Sequence, residues 1–123
     1  MLKITIERIG DTAVIHCEGR VVQSAAVFRL RDAVTQQGNT RVVLVDLSDV
    51  RAVGGGGLGM LVFLQRWAQE HGIQFKVIDP PAFVRQRLRQ VRWASGLEIA
   101  VTSDAETRGT PLAETLHFLR SPH

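Results

Sequence analysis

Polar and apolar residues alternate from the start of the chain: Lys3, Thr5 and Glu7 oppose Ile4 and Ile6, with Ile9 after them. A period of two is that of a half-buried strand. Gly10-Asp11 signals a turn, and Ala13–Glu18 (AVIHCE) predicts a second strand, the hairpin partner of the first. Gly19 breaks it. Ser24 is the expected N-cap of a helix to about Gln37, whose apolar stripe is Ala26, Val27, Leu30, Ala33 and Val34. Gly38-Asn39 ends that helix. Arg41–Leu47 (RVVLVDL) is a near-continuous β-branched run, the pattern of a central strand buried on both faces.

A glycine run, Gly54–Gly59 (GGGGLG), follows, and from about Leu58 to Glu70 the period becomes helical until His71-Gly72 stops it. Gln74–Ile78 alternates as a fourth strand, Pro80-Pro81 open a third helix to about Arg92, and Leu97–Val101 fits a short last strand. Ala105–Leu119 has a weak helical pattern, interrupted by Gly109 and Pro111. The order β-β-α-β-α-β-α-β-α predicts an α/β fold: a mixed sheet of about five strands with about four helices packed on it. Crossovers should be right-handed.

In the helix after the glycines, Met60, Leu61, Leu64, Trp67 and Ala68 share one broad face at about 100° per residue, the expected core face. Gln65, Arg66 and Gln69 lie on the other. Leu58 and Val62 project toward that polar side in the turn nearest the glycines. Two readings are open for that pair: cover by a neighbouring loop, or a small apolar contact patch.

The chain has 123 residues, a length that fits one domain over 1–123, with a core at about 2–101 and a C-terminal helix or tail at 102–123. Hydrophobic residues make up 45%, which argues against global disorder. No apolar run approaches the ~20 residues of a membrane span, and MLKITIERIG reads as a strand rather than a signal peptide, so no membrane insertion and a cytoplasmic location are expected. Cys17 is the single cysteine, which excludes an internal disulfide and a Cys-based zinc cage. The net charge is +3 from 15 basic and 12 acidic residues, too mild to indicate nucleic-acid binding.

Little of the chain carries catalytic chemistry. His16 and Cys17 are strand neighbours and point to opposite faces, so they form no dyad. His71, His117 and His123 lack ligand spacing; no metal, cofactor or catalytic residue is expected. The glycine run matches G-x-G-x-x-G formally, but it follows the third strand, and Met60-Leu61 stand where a P-loop needs Lys and Ser or Thr. Arg85, Arg89 and Arg92 line one side of the third helix with Arg87 elsewhere, a solvated face or a contact for an acidic protein or anionic lipid.

One longer pattern remains. Arg41–Gly59, RVVLVDLSDVRAVGGGGLG, resembles the signature of STAS domains, the family of bacterial anti-sigma factor antagonists. In that family a buried strand ends in D-L-S and D-S-S-G-L-G opens the next helix. Asp46-Leu47-Ser48 and Gly57-Leu58-Gly59 match its two ends. Pro80–Leu97 resembles the family's following helix and turn, and the element order agrees over about Leu2–Val101. The resemblance places the family's aspartate on Gly54 and its two serines on Gly55 and Gly56, so the phosphoacceptor position falls on Gly55. A second polar position, in the turn after the second strand, falls on Val22. Neither has a hydroxyl or carboxylate.

The resemblance implies a non-enzymatic protein-interaction module without a phosphorylatable serine. Its implied partner is an anti-sigma factor or kinase-like ATPase. The alternative is a regulatory subunit of a membrane-transporter ATPase, of the lipid-transport kind. The expected partner-binding residues are Gly54, Gly55, Gly56, Gly57, Leu58 and Val62. For the glycines themselves, a permissive turn, a side-chain-free docking surface and an anion site all remain open. Ser48 is a candidate to hydrogen-bond to the glycine segment.

Overall fold

The structure, a computed structural model, describes residues 1–101, with 91–95 by backbone alone. The helix expected over Ala105–Leu119 lies outside the described residues. Five strands and three helices follow one another as β1 (Leu2–Ile9), β2 (Thr12–Val21), α1 (Ser24–Thr35), β3 (Val42–Val53), α2 (Gly55–Glu70), β4 (Gln74–Ile78), α3 (Ala82–Ser95) and β5 (Glu98–Ala100). They build one sheet in the order β1-β2-β3-β4-β5. The β1–β2 hairpin is antiparallel and the other pairs are parallel.

β3 is the middle strand, and its β-branched run is buried on both faces. Val43, Val45 and Leu47 join the main core with the buried stripe of α1 and with Leu61, Leu64 and Ala68 of α2. Leu44 packs on the other face with Val14 and Ile78. β3 runs to Val53, six residues past the end its pattern suggests. In its pairing with β2 the register shifts twice after His16–Asp46, each time with an extra residue on β3. Such bulges break the two-residue period, which is why Ser48 and Asp49 are exposed in succession and look like a turn.

Three local expectations change. Ser24 is the first helical residue of α1; Gln23 takes the cap position without a side-chain bond. Ile6 and Ile9 of β1 are 38% exposed, because β1 is an edge strand with a neighbour on one side. α2 begins at Gly55, so the glycines are not a loop. At the other end of α2 the expected stop holds: Gly72 has φ 67°, and Ile73 N–H donates back to Ala68 O at 2.8 Å.

Candidate functional site

Gly54 follows β3 in an extended conformation (φ −84°, ψ 176°) and is the N-cap of α2, with no side chain to cap it. Its N–H donates to Val21 O at 3.0 Å, and its carbonyl accepts the first helical bond from Leu58 N–H at 3.0 Å. The N–H groups of Gly55, Gly56 and Gly57 therefore precede the first intrahelical donor, Leu58 N–H, at the positive end of the helix dipole. None of the glycines from 54 to 59 has a positive φ, so their backbone is open to any residue.

Space separates them. A Cβ on Gly57 would lie 2.7 Å from Val21 O and 2.9 Å from Val53 Cγ1. Only glycine lets α2 start this close to β2 and β3. A Cβ on Gly55 or Gly59 would meet open space, and one on Gly56 would make ordinary contact with Val27 Cγ2 at 3.8 Å. Gly55, Gly56 and Gly59 are exposed, Gly54 is half-buried and Gly57 is buried.

Val22, 43% exposed, lies beside this helix start: a Cβ on Gly54 would be 3.5 Å from Val22 Cα. The two places where the family resemblance loses its polar groups are thus neighbours in space. Arg87 of α3 reaches the same end of the fold, where its guanidinium donates to Val53 O. Arg87 is the one arginine of α3 set off the Arg85–Arg89–Arg92 line, and nothing in the sequence linked it to the glycines.

The other expected contact residues separate. Leu58, expected on the polar side, is buried (8% exposed) in the main core, and Val62 is half-buried. Gln65, also expected on the polar side, is buried and donates to Gly96 O at 3.4 Å. The reason is that α2 packs against α1, α3, β3 and β4 at once, so more than one stripe is covered. What α2 exposes is Gly55, Gly56, Gly59, Phe63, Arg66, Gln69 and Glu70. Phe63 is 51% exposed and was not singled out by the pattern.

Asp46, Ser48 and His16 form a second polar arrangement, on the sheet face opposite Cys17. His16 Nδ1 lies 2.9 Å from Asp46 Oδ2; a carboxylate only accepts, so Nδ1 carries the proton. Ser48 N–H donates to Asp46 Oδ1 at 3.0 Å. Asp46 is 4% exposed. Ser48 lies within β3, six residues before Gly54, rather than at the glycine turn. Cys17 is buried in the main core, and its thiol is pushed up to about 12 by burial and by the Asp46 charge. It should therefore resist alkylation at pH 8 in the folded protein and react once the chain unfolds. Rapid labelling of native protein would contradict that burial.

Among the described residues, no three His, Cys, Asp or Glu side chains gather to hold a metal ion. Among them, no helix is long and apolar enough to cross a membrane.

A family model described as "Mlab, STAS domain" matches residues 4–100. The chain belongs to the STAS family. Among solved structures, STAS similarity extends to the anti-sigma factor antagonist SpoIIAA in its unphosphorylated form, at 15% identity and TM-score 0.66 over 98% of this chain and 100% of that one. An anti-sigma factor antagonist from Mycobacterium paratuberculosis matches at 15% identity and TM-score 0.71, over 98% of this chain and 96% of that one. At that identity the likeness is one of fold. Mglu matches at 25% identity and TM-score 0.58 over 63% of this chain; the match spans a fifth (20%) of Mglu. No curated protein sequence matches the chain.

Proposed function

We propose that this STAS domain is a non-enzymatic interaction module that docks a regulatory protein on the exposed start of α2, with no phosphoryl switch at that position. The observation that carries this reading is the apposition of Val22 and the glycine helix start. Both are accessible, and neither has a hydroxyl or carboxylate. A partner backbone can come closest where no Cβ intrudes, at Gly55, Gly56 and Gly59. Val22 and Phe63 then supply exposed apolar contact, and half-buried Val62 adds to it. Buried Gly57 and Leu58, with the half-buried cap Gly54, hold the surface in place from below.

Charge narrows the partner. From Gly55 to Gln69 the only charged residue is Arg66, and α3 carries four arginines and no acid. With the helix dipole added, this side of the molecule suits an acidic partner surface. An ATPase of the anti-sigma kinase type is the first reading. A regulatory subunit of a membrane-transporter ATPase is the second. It is favoured by the same missing hydroxyl, since a constitutive subunit needs no phosphoacceptor.

The test is titration of the captured partner against variants whose thermal unfolding is measured in parallel. Gly55→Phe projects into open space, so it should keep native stability and weaken binding at least tenfold, about 1.4 kcal/mol. Val22→Asp should act in the same direction by placing a charge in the contact. A kinase partner should transfer no phosphate to Ser48. Unchanged affinity in both variants at native stability would refute the docking surface, and stoichiometric labelling of Ser48 would restore a switch.

A further inference from the structure

β1 ends the sheet. Its eight residues pair with β2 on one side in an unbroken register, and no described strand lies on the other. An edge strand of this length, with no proline and no bulge, is a template for pairing with another chain. Its bonding pattern can be read from two contacts. Arg20 N–H donates to Met1 O at 3.3 Å. In an antiparallel ladder alternate residues bond the neighbour, so the odd-numbered residues of β1 turn their backbone groups to β2 and the even-numbered ones turn theirs outward. The guanidinium of Arg29 agrees, because it takes Leu2 O from outside the sheet. Ile4, Ile6 and Arg8 therefore aim their N–H and C=O groups away from the molecule.

We infer that β1 pairs antiparallel with β1 of a second copy, across a two-fold axis at Thr5. Only even-numbered residues can exchange bonds over this seam, so even residues must face even ones. With the axis at Thr5, Ile4 faces Ile6 of the second copy, and Leu2 faces Arg8. On the other face Thr5 meets Thr5, and Lys3 meets Glu7 twice by symmetry. Those charge pairs occupy non-hydrogen-bonded positions, where side chains come closest. Moving the axis to Ile4 sets Lys3 against Thr5. Moving it to Ile6 sets Glu7 against Thr5 and Ile4 against Arg8. The sequence LKITIERI is self-complementary in charge in one register of the three. The same register covers Ile6, which is 38% exposed and lies beside the half-buried Ile4 on the helix-bearing side of the sheet. The product is a closed two-fold dimer with a continuous ten-stranded sheet, and it uses no residue of α2.

Sedimentation equilibrium of the full chain should show a monomer–dimer equilibrium. Amide exchange at Ile4 and Ile6 should slow as protein concentration rises, because those groups gain acceptors only in the dimer. Lys3→Glu or Glu7→Lys alone sets like charges opposite each other twice and should weaken association roughly tenfold. The double variant Lys3→Glu/Glu7→Lys should recover it. Ile6→Pro removes an outward donor and should abolish the dimer, with thermal unfolding of the variant as the control for folding. A chain that stays monomeric at every concentration overturns the inference. So does a dimer in which those two amides exchange as in the monomer, or a double variant that fails to recover association.

Discussion

Gly57→Ala is expected to destabilise the fold by about 2–3 kcal/mol, whereas Gly59→Ala, two residues on in the same helix, should stabilise it by ~0.5–1 kcal/mol. Alanine is the better helix former at both positions, so propensity alone gives both changes the same sign. The difference is steric. The added methyl at Gly57 would sit 2.7 Å from Val21 O, 2.9 Å from Val53 Cγ1 and 3.1 Å from Val21 Cγ1. Val21 O cannot step aside cheaply, since it accepts the Gly54 N–H at 3.0 Å and belongs to the β2 ladder. Relief would mean moving the start of α2 away from the sheet, which loosens Leu58 and Leu61 in the core. At Gly59 the methyl enters open space. Denaturant unfolding of the two variants gives the comparison. Equal shifts would show that the helix start is not held where the structure has it.

The same contrast explains why the glycine run reads as a loop in the sequence. Four consecutive glycines oppose helix by propensity, and no local signal says that one of them is required by a carbonyl from a strand thirty-six positions earlier. Tertiary contact, invisible to a window of residues, decides the conformation. Elements whose burial repeats regularly were legible: the apolar stripe of α1, the doubly buried run of β3, and β4 to the residue. Where regularity fails, so does the reading. The bulges in β3 hide its last six residues, and the several-sided packing of α2 places Leu58 and Gln65 inside although one-face geometry puts them out. At the site, Val22 and the glycines could each be named from family spacing, but their contact depends on the parallel β2–β3 pairing. Phe63 and Arg87 carry no motif. Their place beside an exposed helix start, or bonded to Val53 O, exists in three dimensions alone.

Asp46→Ala should cost about 2–3 kcal/mol, through polar groups rather than packing. Asp46 is a buried acceptor for two donors at once, the His16 ring 2.9 Å away and the Ser48 amide 3.0 Å away. It stands where β2 and β3 are still in regular register, and the first bulge begins directly after that His16–Asp46 pair. The Ser48 bond spans the bulge from the carboxylate side, so the loss should reach the end of β3 and the start of α2 beyond it. Asp46→Asn is the informative partner. It keeps the size of the side chain and an oxygen able to accept from Ser48, and it should recover at least half of the loss. It removes the negative charge, however, and that charge is one of the two causes that hold the Cys17 thiol near 12. Cys17 should therefore titrate at lower pH in Asp46→Asn than in the native chain, while burial keeps it above the ordinary thiol value. Alkylation rate against pH reads that shift, and denaturant unfolding reads the stability. A loss below ~0.5 kcal/mol for Asp46→Ala would be that of an ordinary surface substitution, and the carboxylate would then not be the clasp that fixes the bulged half of β3.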